Sequence, residues 1–274
     1  MLSEQDYSLL ANVIEEPTRE GTSISGVVRF SAVYSATSNR FLILDDDAYS
    51  QDGARLAGAY RIKIEDRINT PDSRLPALFI EGIDPTMNRH FNQSDRSACL
   101  CSPFEEDGFI QPTFDVEKYF YELVIPFLYG QKFFDGESRW PWSELSHGAM
   151  GILESYESVG TAENANECLG RILREKPLWN KAKVMLEMKH EIKGHYHCLC
   201  GKLDHFRRCH PQALAGLRRL RSDIELHSLT LLDVMPLFVS SRERPLSSYA
   251  SLLLRFPSNS LFSDMLPSRR RYFM

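Results

Sequence analysis

Three thiols and an imidazole lie close together in the second half of the chain. Cys198-Leu199-Cys200-Gly201 is followed, with eight residues between Cys200 and Cys209, by Cys209-His210. Four ligands of this kind at this spacing can close a tetrahedron around zinc. The two cysteines, one residue apart, can grip a cation from a tight turn. Gly201 lets the backbone turn away, and Cys209-His210 returns at the start of a helix. His195 and His197 lie just upstream and are alternative nitrogen ligands should His210 turn aside. Four protein ligands leave no open position for water, so the expected role is structural and not hydrolytic.

The elements that must carry these residues can be read from periodicity and punctuation. Leu2 to Glu16, with Leu9, Leu10, Val13 and Ile14, reads as an amphipathic helix ended by Pro17. Val27 to Tyr34, Arg40 to Leu44, Gly58 to Ile64 and Leu75 to Ile83 are short apolar or alternating runs between turn residues, the pattern of a four-stranded antiparallel meander. From Asp84 to Gln111 the periodicity stops, which predicts a long polar loop of the kind that carries function. Asp115 to Leu128 and Gly148 to Tyr156 then read as helices, followed by Asn164 to Glu175, Trp179 to Ile192 and Pro211 to Leu220. Gly160-Thr161 is the expected domain boundary.

Composition sets the outer limits. The 274 residues suffice for one domain and a smaller unit, and the formal net charge of −5 gives no general case for nucleic acid or anionic membrane. No apolar run reaches the roughly 20 residues that span a bilayer, and acidic residues stand where a signal peptide would be basic. The six cysteines lack the spacing of a secreted disulfide framework. A cytoplasmic protein is expected.

Two resemblances sharpen this reading. His205-Phe206-Arg207-Arg208, just before Cys209-His210, completes a likeness to the SEC-C motif, a small zinc-binding module, over about two dozen residues. His90-Phe91-Asn92, with Cys99-Leu100 beginning seven residues after Asn92, resembles the His-Pro-Asn and downstream Cys-Leu of ubiquitin-conjugating enzymes. The order of helix, four strands, loop and helix agrees. Gly58 to Ile64 and Pro71 to Phe79 resemble that family's third strand and its proline-rich approach to the fourth. Trp140-Pro141-Trp142 through Gly148, with Gly151 to Glu154, is similar to bacterial relatives encoded in antiviral and ubiquitin-like conjugation operons.

The second resemblance implies a ubiquitin-conjugating-like α+β domain over residues 1–158 and a chemistry for its loop. Cys99 would take the C-terminal carbonyl of a ubiquitin-like protein, or another carrier C-terminus, from an activating enzyme as a thioester and pass it to an amine. The amine would belong to a target protein, which in related bacterial systems can be an antiviral nucleotide second-messenger synthase. Asn92 would stabilise the oxyanion or hold the loop, His90 would shape the loop, and Phe91 stands where the family has proline. Glu105, Glu106 and Asp107 can orient an incoming lysine or form a solvated loop. Cys101 reads as an alternative nucleophile, a resolving thiol or a packing residue. Trp140, Trp142 and His147 read as core and turn residues, and Cys168 as buried.

Beyond that domain, the reading gives a helical linker over 159–192, the zinc module over 193–221 and a helical extension with a basic tail over 222–274. Arg207, Arg208, Arg218, Arg219, Arg221 and the tail Arg269-Arg270-Arg271 can be a solvated face, a contact for an acidic protein or a nucleic-acid contact. Nucleic acid is not expected as a partner of so acidic a chain. The competing function is a non-catalytic adaptor that uses the same fold and zinc module for protein binding.

Overall fold

The structure, a computed structural model, describes residues 2–44, 53–66, 74–110 and 112–226. It is mixed α/β and divides between Leu145 and Ser146 into two compact units.

The first unit opens with α1 (Glu4–Val13). The Ser3 hydroxyl accepts the Asp6 N–H and the Asp6 carboxylate accepts the Ser3 N–H, so the first turn is capped reciprocally. The helix ends before the expected Glu16, and β1 (Glu15–Glu20) follows at once. Every residue of β1 is exposed, so no apolar alternation marks it as a strand. Pro17 is accommodated because the pairing register shifts between Glu15 and Thr18, with Glu16 at a left-handed φ of 51°.

β2 (Ser23–Ser35) runs antiparallel to β4 (Ala54–Glu65) from Ser23 opposite Glu65 to Tyr34 opposite Ala54. β5 (Ala77–Ile80) continues the sheet beyond β4, while β3 (Arg40–Ile43) folds back onto β2. The sequence pattern suggests a four-stranded meander; the described residues form instead a five-stranded antiparallel sheet of order β1-β2-β4-β5, with β3 also on β2. The reason is the length of β2. One of its edges is filled by β4, and the other takes β1 along Ser23–Val27 and β3 along Ala32–Ser35.

Alternate residues Ile24, Val28, Phe30 and Ala32 of β2 are buried, as are Ile62 and Ile64 of β4 and Leu78 of β5. They meet Tyr7 and Leu10 of α1 and a long helical run in one core. After a single turn, α2 (Asp107–Ile110), that run begins where the Asp115 carboxylate caps the Lys118 N–H. It comprises α3 (Val116–Tyr119), a wide π turn (Phe120–Val124) and α4 (Ile125–Glu137). Pro126 has no N–H and crowds the carbonyl four residues earlier, and the wide turn sits immediately before it. The expected face of Val116, Tyr119, Phe120, Leu123 and Val124 is wholly buried, and the helix runs on past the expected Leu128.

The second unit is helical: α5 (Ala149–Val159), α6 (Ala165–Leu173), α7 (Lys176–Leu186), the single turn α8 (Phe206–Cys209) and α9 (Pro211–Leu226). The division precedes α5 instead of falling at Gly160-Thr161 because α5 packs along α9. Residues 159–192 are likewise part of this unit and not a linker, since Ala165, Cys168, Leu169 and Ile172 are buried in it. Of the 222–274 extension, α9 carries the chain to Leu226; the rest, including the arginine tail, lies outside the described residues.

One contact generates a test of the first unit. A Cβ on Gly130 of α4 would run into the Trp140 ring, which is buried and donates its N–H to the Asn88 carbonyl at 3.0 Å. In an open helix Gly→Ala stabilises by about 1 kcal/mol. Here Gly130→Ala should destabilise by about 1–3 kcal/mol through overpacking, read as a lowered urea midpoint. A stabilised variant would show that Trp140 does not occupy this slot.

Candidate functional site

The segment after β5 is a small hairpin built on backbone hydrogen bonds. Phe91 bridges Ala98, Asn92 N–H donates to Ser97 C=O at 2.8 Å, and Cys99 N–H donates to His90 C=O at 2.7 Å. Ala98 N–H donates to Leu78 C=O, which ties the hairpin to β5. Phe91 and Ala98 point into the core, whereas Asn92 and Cys99 are half-buried and open to solvent on part of their surface. His90 and Arg96, at the two bends, have left-handed φ values of 55° and 64°. Such conformations cost a non-glycine residue about 1–3 kcal/mol and persist where surrounding contacts enforce them.

Those contacts are specific. Arg89 N–H groups bind the Gln131 side-chain oxygen at 3.0 Å and the Asp135 carboxylate at 2.6 Å, and Gln131 in turn donates to Arg89 C=O. The buried His90 ring meets Trp140 edge to face with centroids 4.7 Å apart, and its Nε2 lies 3.3 Å from the Glu144 carboxylate. His90 therefore braces the loop through its ring and its carbonyl. Asn92 Nδ2 donates to Ser97 Oγ at 3.0 Å, and Ser97 itself donates to Asp95 at 2.7 Å. Trp140 and Trp142 are core residues, the latter half-buried and edge-on to Tyr34. His147 is exposed and belongs to the second unit.

Cys99 and Cys101 are both half-buried residues. Burial, with the neighbouring Glu105 and Glu106 carboxylates adding to it, holds the Cys101 thiol well above the usual range, so little thiolate forms there at neutral pH. The acidic cluster is committed to structure. Glu106 is buried, accepts the Arg74 N–H at 2.9 Å and faces its guanidinium, which pairs with Asp107 at 2.7 Å. Glu105 accepts the Ser102 N–H at 2.7 Å, and burial raises its carboxyl above the ordinary range. Neither a freely solvated loop nor an unencumbered lysine-orienting device describes these groups.

In the second unit, Cys198, Cys200, Cys209 and His210 converge. Their ligand atoms all lie within 4.8 Å of one another, with Cys198 Sγ 3.2 Å from His210 Nδ1 and Cys200 Sγ 3.6 Å from Cys209 Sγ. A tetrahedral zinc with bonds of about 2.3 Å to sulfur needs S···S separations of about 3.7 Å, so this cluster could hold a metal ion. Local folding explains the convergence. His197 bridges His205, Cys198 N–H donates to Asp204 C=O, and Gly201 turns the chain at φ 91°. Burial pushes the Cys198 thiol up to about 12. Among the described residues, His195 and His197 are not in the cluster. Cys168 is fully buried in α6.

The arginine row is largely engaged. Arg218 donates to Ile192 C=O, Arg221 to His190 C=O and Arg219 to Glu157 C=O, and the three pair with Glu191, Glu225 and Asp223 respectively. These contacts fasten α9 to the segment leading into the Cys/His cluster and to the end of α5. Arg207 and Arg208 remain exposed.

Sequence reading alone missed Asp95, Ser97, Arg89, Gln131 and Glu144. Only Asp95-Arg96-Ser97 carries a local signal, the spacing of an Asx turn; the others act across long sequence separations. Among the described residues no helix is long and apolar enough to cross a membrane. No protein-family model matches the chain, and neither a curated protein nor a solved structure matches it.

The state of the Cys101 thiol can be measured directly. Alkylation of the native protein by iodoacetamide at neutral pH, mapped by mass spectrometry, should modify Cys101 at least about tenfold more slowly than in the urea-unfolded protein, because its thiol is held above the usual range. Raising the pH should accelerate modification of Cys101. Equal rates in the folded and unfolded protein at neutral pH would overturn this reading.

Proposed function

We propose that the chain is a ubiquitin-conjugating-like transferase whose first unit carries an acyl group on Cys99 and whose second unit is held by a structural zinc. The observation that carries this reading is the Phe91–Ala98 hairpin, which sets His90 opposite a half-buried Cys99 and Asn92 diagonally across from it. A carrier C-terminal carbonyl would transfer from the thiol of an activating enzyme to Cys99, and an amine of the target would then displace the Cys99 thiolate. The Asn92 amide would face the developing oxyanion, and the buried His90 would keep the loop in shape. The sequence resemblance supports a bacterial, cytoplasmic setting in antiviral defence, with a nucleotide second-messenger synthase as a candidate target. The engaged arginine row weighs against nucleic acid as a partner.

Incubation with a cognate activating enzyme and carrier protein, plus ATP, should yield a thiol-sensitive adduct on Cys99. Cys99→Ala should abolish it, and Cys101→Ala should largely spare it. An unmodified wild type that still binds the carrier would favour the adaptor reading.

For the second unit, zinc would be held by Cys198, Cys200, Cys209 and His210 and would stabilise their thiolates. Purified protein should contain one zinc per chain, and Cys198→Ser combined with Cys200→Ser should lose it. Because His210 C=O accepts the Leu214 N–H, that loss should reach α9 and lower helical content while the sheet of the first unit persists. Full zinc retention in the double variant would exclude this ligand set.

A further inference from the structure

We infer that Asp95 and Ser97 are positioning residues that aim the Asn92 amide at the acyl group on Cys99. The inference rests on the proposed thioester chemistry and adds residues to it. Ser97 is completely buried, and its hydroxyl has one proton to give. That proton goes to the Asp95 carboxylate at 2.7 Å, whose same oxygen also accepts the Ser97 N–H at 3.0 Å. A charged acceptor outcompetes a neutral one, so Ser97 Oγ is left as an acceptor and must receive an N–H from Asn92, 3.0 Å away. The relay thus fixes which end of the Asn92 amide faces Ser97.

The consequence lies in the other half of that amide. One Nδ2 proton is held by Ser97, and among the described residues the side chain has no further partner. Asn92 sits opposite Ser97 in the hairpin, diagonally across from Cys99, and diagonal neighbours are roughly 7–8 Å apart. The second Nδ2 proton is therefore free to reach a carbonyl oxygen attached through the Cys99 sulfur. During aminolysis the amine nitrogen bonds to the thioester carbon and the carbonyl oxygen gains negative charge. The C–S bond then breaks, Cys99 leaves as thiolate, and the nitrogen loses its extra proton to solvent. A donor fixed in advance lowers the barrier most at the charged stage. Asp95 is exposed, so it can be altered without opening the core.

The test uses the full chain and two small probes, which makes it independent of the carrier. N-acetylglycine as its 2-mercaptoethanesulfonate thioester acylates Cys99, and butylamine then discharges it, both steps followed by intact mass. Asn92→Ala should slow discharge at saturating amine about a hundredfold. Ser97→Ala and Asp95→Ala should each slow it about tenfold with little change in the KM for butylamine or in loading. Asp95→Asn, whose neutral amide oxygen competes less well for the Ser97 proton, should discharge at a rate between those of wild type and Asp95→Ala. Combining Asn92→Ala with Ser97→Ala should be no slower than Asn92→Ala alone, because Ser97 acts only through Asn92. Circular dichroism melting of Asp95→Ala separates loss of aim from loss of fold. Wild-type discharge rates in Ser97→Ala and Asp95→Ala, or effects that multiply in the double variant, would overturn the relay alone. A wild type that never acylates on Cys99 would overturn both the relay and the chemistry on which it rests.

Discussion

The seat of Trp140 is the constraint on which the first unit depends. Its ring fills a slot that exists only because Gly130 has no side chain, and it packs against Phe127 and Phe134 of α4. From that position the indole N–H donates to the Asn88 carbonyl, and the ring meets His90 in a T-shaped contact. A single buried aromatic side chain therefore connects the longest helical run to the segment that ends at Cys99. Arg89 repeats the connection with polar groups, through Gln131 and Asp135, so the bend at His90 is held on both sides. The left-handed backbone of His90 is tolerated because these contacts outweigh its conformational cost.

Much of this architecture was legible from periodicity. The buried alternation in β2 and β4 and the apolar face of the 116–124 stretch follow directly from residue spacing. What escaped was set by interactions that leave no pattern. β1 is exposed throughout and joins the sheet by backbone pairing alone, so its residues carry no amphipathic signature. Nor does any local feature announce that β3 will share an edge of β2 with β1, because that choice follows from the competition of β4 for the other edge. The unit boundary was displaced for a related reason. Gly160-Thr161 is good turn chemistry, yet the packing of α5 on α9 decides where the chain divides.

The candidate sites divide in the same way. Convergence of Cys198, Cys200, Cys209 and His210 was readable because its geometry is local, a hairpin followed by one helical turn. In the Cys99 loop, residue types pointed to the thiol, but the state of each group depends on neighbours far along the chain. Arg74 engages Glu106 and Asp107, and Trp140 and Glu144 engage His90. The arginines of α9 teach a similar lesson. Read as a row they suggest a surface for anions, whereas in the fold three of them bind carbonyls and carboxylates of their own unit.

The compactness of the Cys/His cluster also bears on how the chain is made. Cys198 and His210 are only 12 residues apart, so closing their loop costs little entropy and requires no distant strand. Register in the sheet, by contrast, requires Ser23 to find Glu65. During synthesis the sheet must wait for dozens of residues to emerge, while the cluster can form as soon as its own short stretch leaves the ribosome. The first turn of α9 begins at the residue after His210, so a metal captured at that moment would give this helix a fixed starting point before its packing partners close around it.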